Sequence, residues 1–177
     1  MATPIAELAP YDDAGNLRII VESPAGSSAK LKHNPEHGLF EWVRPLPLGM
    51  RFPFDWGFVP GTCAEDGDPV DAVVVTDAPT SPGVLVPCVA LGVIEVEQND
   101  KCGGRIRNDR IIARPIVAPR AAHVRTLDDL TVRIVEEIEA FLSGSVRFEP
   151  KALVILGRGA PDAALALVDR YRSAKSK

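Results

Sequence analysis

The chain has 177 residues, 46% of them hydrophobic and 25% charged, which suits one domain with a real core and gives no sign of disorder. Its 20 basic and 24 acidic residues leave a formal charge of −4, so no global field draws it to nucleic acid or to an anionic membrane. No segment approaches the roughly 20 apolar residues of a membrane span, and residues 1–10 lack the pattern of a secretory signal. Cys63, Cys88 and Cys102 are odd in number and without Cys-x-x-Cys spacing, so the expected setting is a reducing cytoplasm.

In chain order, β-branched runs predict strands over 17–22, 39–43, 70–76, 84–97, 110–117 and 152–156. The 16 prolines lie largely between these runs and break helices, so the first two thirds of the chain reads as short strands joined by turns. The long 84–97 run contains Pro87 and Gly92 and is expected to bend or bulge there. A helix is predicted over 126–144, where Leu127, Leu130, Ile134, Ile138 and Phe141 recur at helical spacing. Thr126 and Asp129 make its capping pair and Gly144 its stop. A second helix, over 161–173, opens on Pro161 and places Leu165, Val168 and Tyr171 on one face. Strands followed by helices indicate a single α+β domain over 1–177: a small barrel with flanking C-terminal helices.

The stretch Asp66-Gly67-Asp68-Pro69-Val70-Asp71 carries three carboxylates in a turn that enters an apolar strand. Carboxylates about 5 Å apart repel by roughly 3 kcal/mol per pair at an effective dielectric near 20. A hard divalent cation reverses that sign, which makes the aspartates candidate metal ligands. The bland alternative is an acidic surface turn, since Asp-Gly and Asp-Pro are turn formers. An EF-hand does not fit, because its glycine and glutamate positions hold Asp71 and Asp77.

With Glu22, Lys30, Arg44 and the segment Phe52-Pro53-Phe54-Asp55-Trp56-Gly57 in order before these aspartates, the chain resembles the soluble family I inorganic pyrophosphatases. The match runs from about Leu17 to Pro115. It implies an OB-like β-barrel, dependence on two or more Mg²⁺ ions, and cleavage of pyrophosphate to two phosphates. The resemblance further implies that Asp66 and Asp71 bind metal while Asp68 takes a proton from the attacking water, with Glu22 in support. Lys30, Arg44, Trp56 and Arg110 would contact substrate. A second acidic group is expected from Glu97, Asp100 and Asp109, with Asp109 preferred beside Arg110 and Asn108 as its competitor; Glu97 joins Asp109 as a candidate ligand. Relatives of this kind form symmetric oligomers, so a homo-oligomer is expected, with a small-molecule substrate and no nucleic-acid or membrane partner.

The chain also departs from the family pattern. Lys32 stands where a glutamate is expected, Phe52 and Trp56 replace tyrosines, and Arg110 replaces a lysine. An expected Tyr-Lys pair is missing at Ser143-Gly144-Ser145, with Arg147 or Lys151 as candidates for the lost cation. Two rivals follow: a hydrolase of another small phosphoanhydride, and a non-catalytic member that binds metal or a protein. A nucleic-acid binder of OB type would want basic and aromatic residues interleaved on exposed strands, and only 6% of the chain is aromatic.

Overall fold

The computed structural model describes residues 4–100 and 102–173. Nine strands and two α-helices follow one another: β1 (Leu17–Ser23), β2 (Ala29–Asn34), β3 (Leu39–Pro45), β4 (Asp55–Phe58), β5 (Asp71–Val74), β6 (Leu85–Asn99), β7 (Arg105–Arg107), β8 (Arg110–Pro115), α1 (Val132–Ser145), β9 (Val154–Gly159) and α2 (Pro161–Arg170).

Strands β1, β4, β5, β8 and β6 pair in that order, and β6 returns to β1, closing a five-stranded barrel. All of its pairs are antiparallel except β5 with β8. The expected OB-like α+β architecture is therefore present. β6 is the organising strand: along its length it meets β1, β8, β9 and β7 in turn. It bulges between Ala90 and Gly92, where a side chain at Gly92 would bring a Cβ within 2.5 Å of the Gly159 carbonyl oxygen. Pro87 is accommodated in the ladder opposite Arg18 and does not interrupt it.

The barrel is buried on both faces, which explains its near-continuous apolar runs. Alternate residues such as Ile19, Val21, Ala72, Val74, Ile111 and Ala113 fill the interior, and Ala164 and Val168 of α2 pack against them. Their neighbours Val73 and Ile112 face outward into a second cluster, where Val135, Ile138, Phe141 and Leu142 of α1 cover the wall.

Several expectations change. Thr126 and Asp129 do form a capping box, but it opens a 3-10 turn at Leu127–Asp129, and the α-helix begins only at Val132. On α2, Val168 is buried as expected and Tyr171 packs against the same cluster, but Leu165 is exposed and Ala164 takes its place. β2, β4 and β7 were not expected. β2 mixes Lys30, Lys32 and His33 with few apolar residues, so its pattern does not announce a strand; β4 and β7 are only four and three residues long.

Candidate active site

The aspartate loop joins β4 to β5 on the rim of the barrel. Gly67 adopts φ +83°, a conformation that costs glycine little, and its N–H donates to Ala64 O at 3.0 Å. The Thr62 hydroxyl ties the loop's base, donating to Val59 O at 2.6 Å and accepting from the Val70 N–H at 2.9 Å. Asp71 then enters β5 opposite Phe58, which anchors it to the barrel.

Each aspartate has a partner from elsewhere in the chain. Asp68 Oδ1 meets Lys32 Nζ at 2.6 Å. Asp71 Oδ2 meets Arg110 Nη1 at 3.1 Å. Asp66 Oδ2 accepts from Asn108 Nδ2 at 2.9 Å, and its Oδ1 accepts the Asp68 N–H at 3.1 Å. Arg110 also donates to the Asn108 side-chain oxygen, so an ion pair and two hydrogen bonds link Asp71, Arg110, Asn108 and Asp66 in one chain. Burial pushes the Asp66 carboxyl up, and Asp71 and Asp68 add to that push against the Asp68 N–H and Arg110. The three charges are therefore close enough to feel one another.

Behind the loop, Glu22 is buried and accepts the His33 N–H at 2.7 Å. Burial raises its carboxyl to about 7; Asp71 adds to this, while the His33 N–H, Lys30 and Lys32 oppose it.

On the other side lies a narrow cationic cleft. Lys30 and Arg44 sit opposite each other on the β2–β3 hairpin, and both line it, with Arg110, Trp56 and Lys151. Arg44 is tethered to the end of α1, with Nη2 donating to Ser145 O at 3.0 Å. Arg110 is 5% exposed and lies over the Trp56 ring at 5.5 Å. Two buried donors, Trp56 Nε1 and Arg110 Nε, have no partner among the described residues. Unsatisfied buried donors are rare and call for an acceptor. Lys151 completes the set: burial, then the Lys30 and Arg110 cations, push its ammonium below the usual range, while Asp71 and Asp66 pull it back. Immediately after it the backbone is left-handed at Ala152, with φ 41°.

The donors suit a hard divalent cation in kind, being carboxylate oxygens bearing excess negative charge. Among the described residues, however, no three acidic, histidine or cysteine side chains stand ready-grouped around an ion.

The chain as a whole is similar to known proteins. The family model for inorganic pyrophosphatase matches residues 19–175. The chain belongs to the inorganic pyrophosphatase family. It is 34% identical over 156 residues to the inorganic pyrophosphatase of Synechocystis, covering 88% of this chain and 89% of that one. The crystal structure of the Thermus thermophilus inorganic pyrophosphatase superposes with a TM-score of 0.89 at 27% identity, covering 99% of this chain and 100% of that one. The Helicobacter pylori enzyme gives 0.86 at 27% identity, covering 97% and 99%.

Within this family framework, Asp66, Asp68, Asp71, Lys30, Arg44, Trp56, Arg110 and Glu22 lie around one site. The second acidic group does not. Asp109 is held by Arg107, which donates to it through Nε at 3.1 Å and Nη2 at 3.0 Å, and it accepts the Val96 N–H at 2.8 Å. Its carboxylate lines a small pocket with Tyr171 and Leu167 instead. Glu97 pairs with Arg105 at 2.6 Å. Asp100 caps its own turn, accepting the Cys102 and Gly104 N–H groups. The two-residue link between β7 and β8 decides this outcome: Asn108 and, at the start of β8, Arg110 reach the aspartates, while Asp109 between them is drawn to Arg107 and the Val96 N–H. Lys151 reaches the cleft, whereas Arg147 lines a separate open groove; sequence spacing could not separate them.

Proposed function

We propose that the protein hydrolyses inorganic pyrophosphate to two phosphates with Mg²⁺. The observation that supports this most is the Arg110 bridge, one buried guanidinium that touches Asp71 and also lines the cleft shared by Lys30, Arg44 and Lys151. A carboxylate cluster lying directly beside a donor-lined slot supports a site for cations next to one for a polyanion.

Asp66 and Asp71 would hold the metal. Divalent cations supply Lewis-acid charge to the phosphoryl oxygens and make water more acidic. Asp68 accepts the proton of the attacking water as the new P–O bond forms and the bridging P–O bond breaks. Lys30, Arg44, Lys151 and the orphaned Trp56 Nε1–H and Arg110 Nε–H bind phosphate oxygens and stabilise the departing phosphate. The fixed donors also orient the substrate before reaction. Asn108 keeps Asp66 in place. The same reading makes the protein a cytoplasmic homo-oligomer with no nucleic-acid or membrane partner; among the described residues no helix is long and apolar enough to cross a membrane.

A second reading, cleavage of a larger phosphoanhydride, draws on a cavity of about 500 Å³ beside Asp68 and Lys32, walled by Trp42, Phe58 and Pro69. One experiment weighs both: phosphate release from pyrophosphate and from a nucleotide panel, with Mg²⁺, with chelator, and in Asp68→Asn. Absence of pyrophosphate cleavage above Asp68→Asn under any divalent metal rejects the enzymatic reading. Nucleotide cleavage at comparable kcat/KM selects the second one.

A further inference from the structure

Lys32 has another acidic neighbour and does not use it. Its cross-strand partner on β3 is Glu41, but that carboxylate is occupied by His37 Nδ1 at 2.8 Å and Asn34 Nδ2 at 3.1 Å. The ammonium turns instead to Asp68 Oδ1, at 2.6 Å. Arg110 does the same at Asp71, and the Asn108 amide fills Asp66 Oδ2. Two of the three negative charges of the loop are thus matched within the chain, and the third aspartate is bonded to a neutral donor. The two cations differ in freedom. Arg110 is buried and locked to Asn108, whereas the Lys32 and Asp68 side chains are 41% and 49% exposed. A flexible stem leaves the ammonium free to leave without disturbing the barrel.

We propose that Lys32 is a built-in competitor of the divalent cation: its ammonium neutralises Asp68 in the free protein, lowering the number and affinity of divalent ions that the loop binds. Arg110 and Asn108 set a fixed background at Asp71 and Asp66, and Lys32 is the part that exchanges. An arriving polyanion offers the ammonium a better partner and releases Asp68. Metal and substrate therefore bind with positive coupling, each favouring the state in which Lys32 has left the carboxylate.

This inference rests on the proposed roles of the three aspartates, but its test is separate from turnover. Mn²⁺ binding to substrate-free protein is titrated through the resonance of free Mn²⁺. Lys32→Met is expected to tighten binding by about tenfold or more, the effect of removing one unit charge a few ångströms from a divalent ion even at water-like dielectric. Lys32→Glu is expected to tighten it further and to add a bound ion. Arg133→Met, which removes the same charge from the exposed helix pair with Glu137, is the control and is expected to leave binding as it was. Lys32→Met binding Mn²⁺ within twofold of the parent protein, or Arg133→Met tightening it equally, would overturn the proposal. Thermal melting confirms that the variants fold, since a half-exposed pair contributes little stability. Pyrophosphate cleavage can fail while this titration succeeds, and the reverse.

Discussion

Two parts of this barrel are crowded with opposite charges, and they are built in different ways. In the β6–β7 hairpin, Glu97 meets Arg105 at 2.6 Å, and Asp109 accepts from two of the three Arg107 guanidinium nitrogens. Those arginines are more than a third exposed and their partners are complete. Around Asp66–Asp71 the ions are also paired, yet two buried donors, Trp56 Nε1 and Arg110 Nε, are left over. Charge density alone therefore does not mark the site. Unpartnered buried donors do, because leaving them unpaired costs free energy that a ligand can recover, whereas the one buried orphan of the hairpin, Gln98 Oε1, is an acceptor.

The sharpest way to break the comparison is Asp68→Asn. It should lower pyrophosphate kcat by about 10² to 10⁴-fold with the fold intact, and steady-state phosphate release reads this directly. Retention of the parent rate would remove the catalytic role from the loop.

Next comes Glu22, whose carboxyl titrates near 7 in the folded protein against an ordinary 4.5. Between these values the native state holds a proton that the unfolded chain has released. Stability is therefore full below about 4.5 and falls as pH rises toward 7, by up to about 3 kcal/mol. Glu22→Gln should flatten that fall in urea unfolding at several pH values, since the amide oxygen still accepts from the His33 N–H. An unchanged slope in the variant would place the pH dependence elsewhere.

Lys151→Met is expected to raise the pyrophosphate KM about tenfold, on the scale of one lost charge-assisted hydrogen bond, without lowering the melting temperature. Burying an ammonium among cations is unfavourable for folding, so a binding role and a structural role predict opposite shifts. A lower melting temperature with an unchanged KM would make Lys151 structural.

The smallest effect belongs to the hairpin. Arg105→Ala should cost at most about 1 kcal/mol of stability and leave turnover near that of the parent, as expected for an exposed ion pair. A large loss of activity would return Glu97 to the list of metal ligands.

The apolar strands of the barrel were readable because they are buried on both faces, which leaves runs such as Ala72–Val75 and Ile111–Ala113 nearly free of polar residues. β2 was not, because only His33 in it is buried and the lysines reach the site. The aspartate loop, Lys30, Arg44 and Trp56 were readable as a local pattern. Spacing did not show the surroundings of Asp109: beside Arg110 in sequence, it lies in the link before β8 and is paired with Arg107.

The sequence by itself determined the barrel class, the family, and the place of the acidic turn, since short apolar runs and clustered carboxylates are local signals. Tertiary structure alone decided which charges meet. Lys32 lies 36 residues from Asp68, and Asn108 lies 42 from Asp66, so their pairing depends on the closure of the barrel. Lys151 reaches the cleft only because β9 pairs with β6 and carries the preceding turn to the rim. Local spacing can nominate ligands and cations, but the sign of the field at each carboxylate is set by neighbours that only folding brings within a few ångströms.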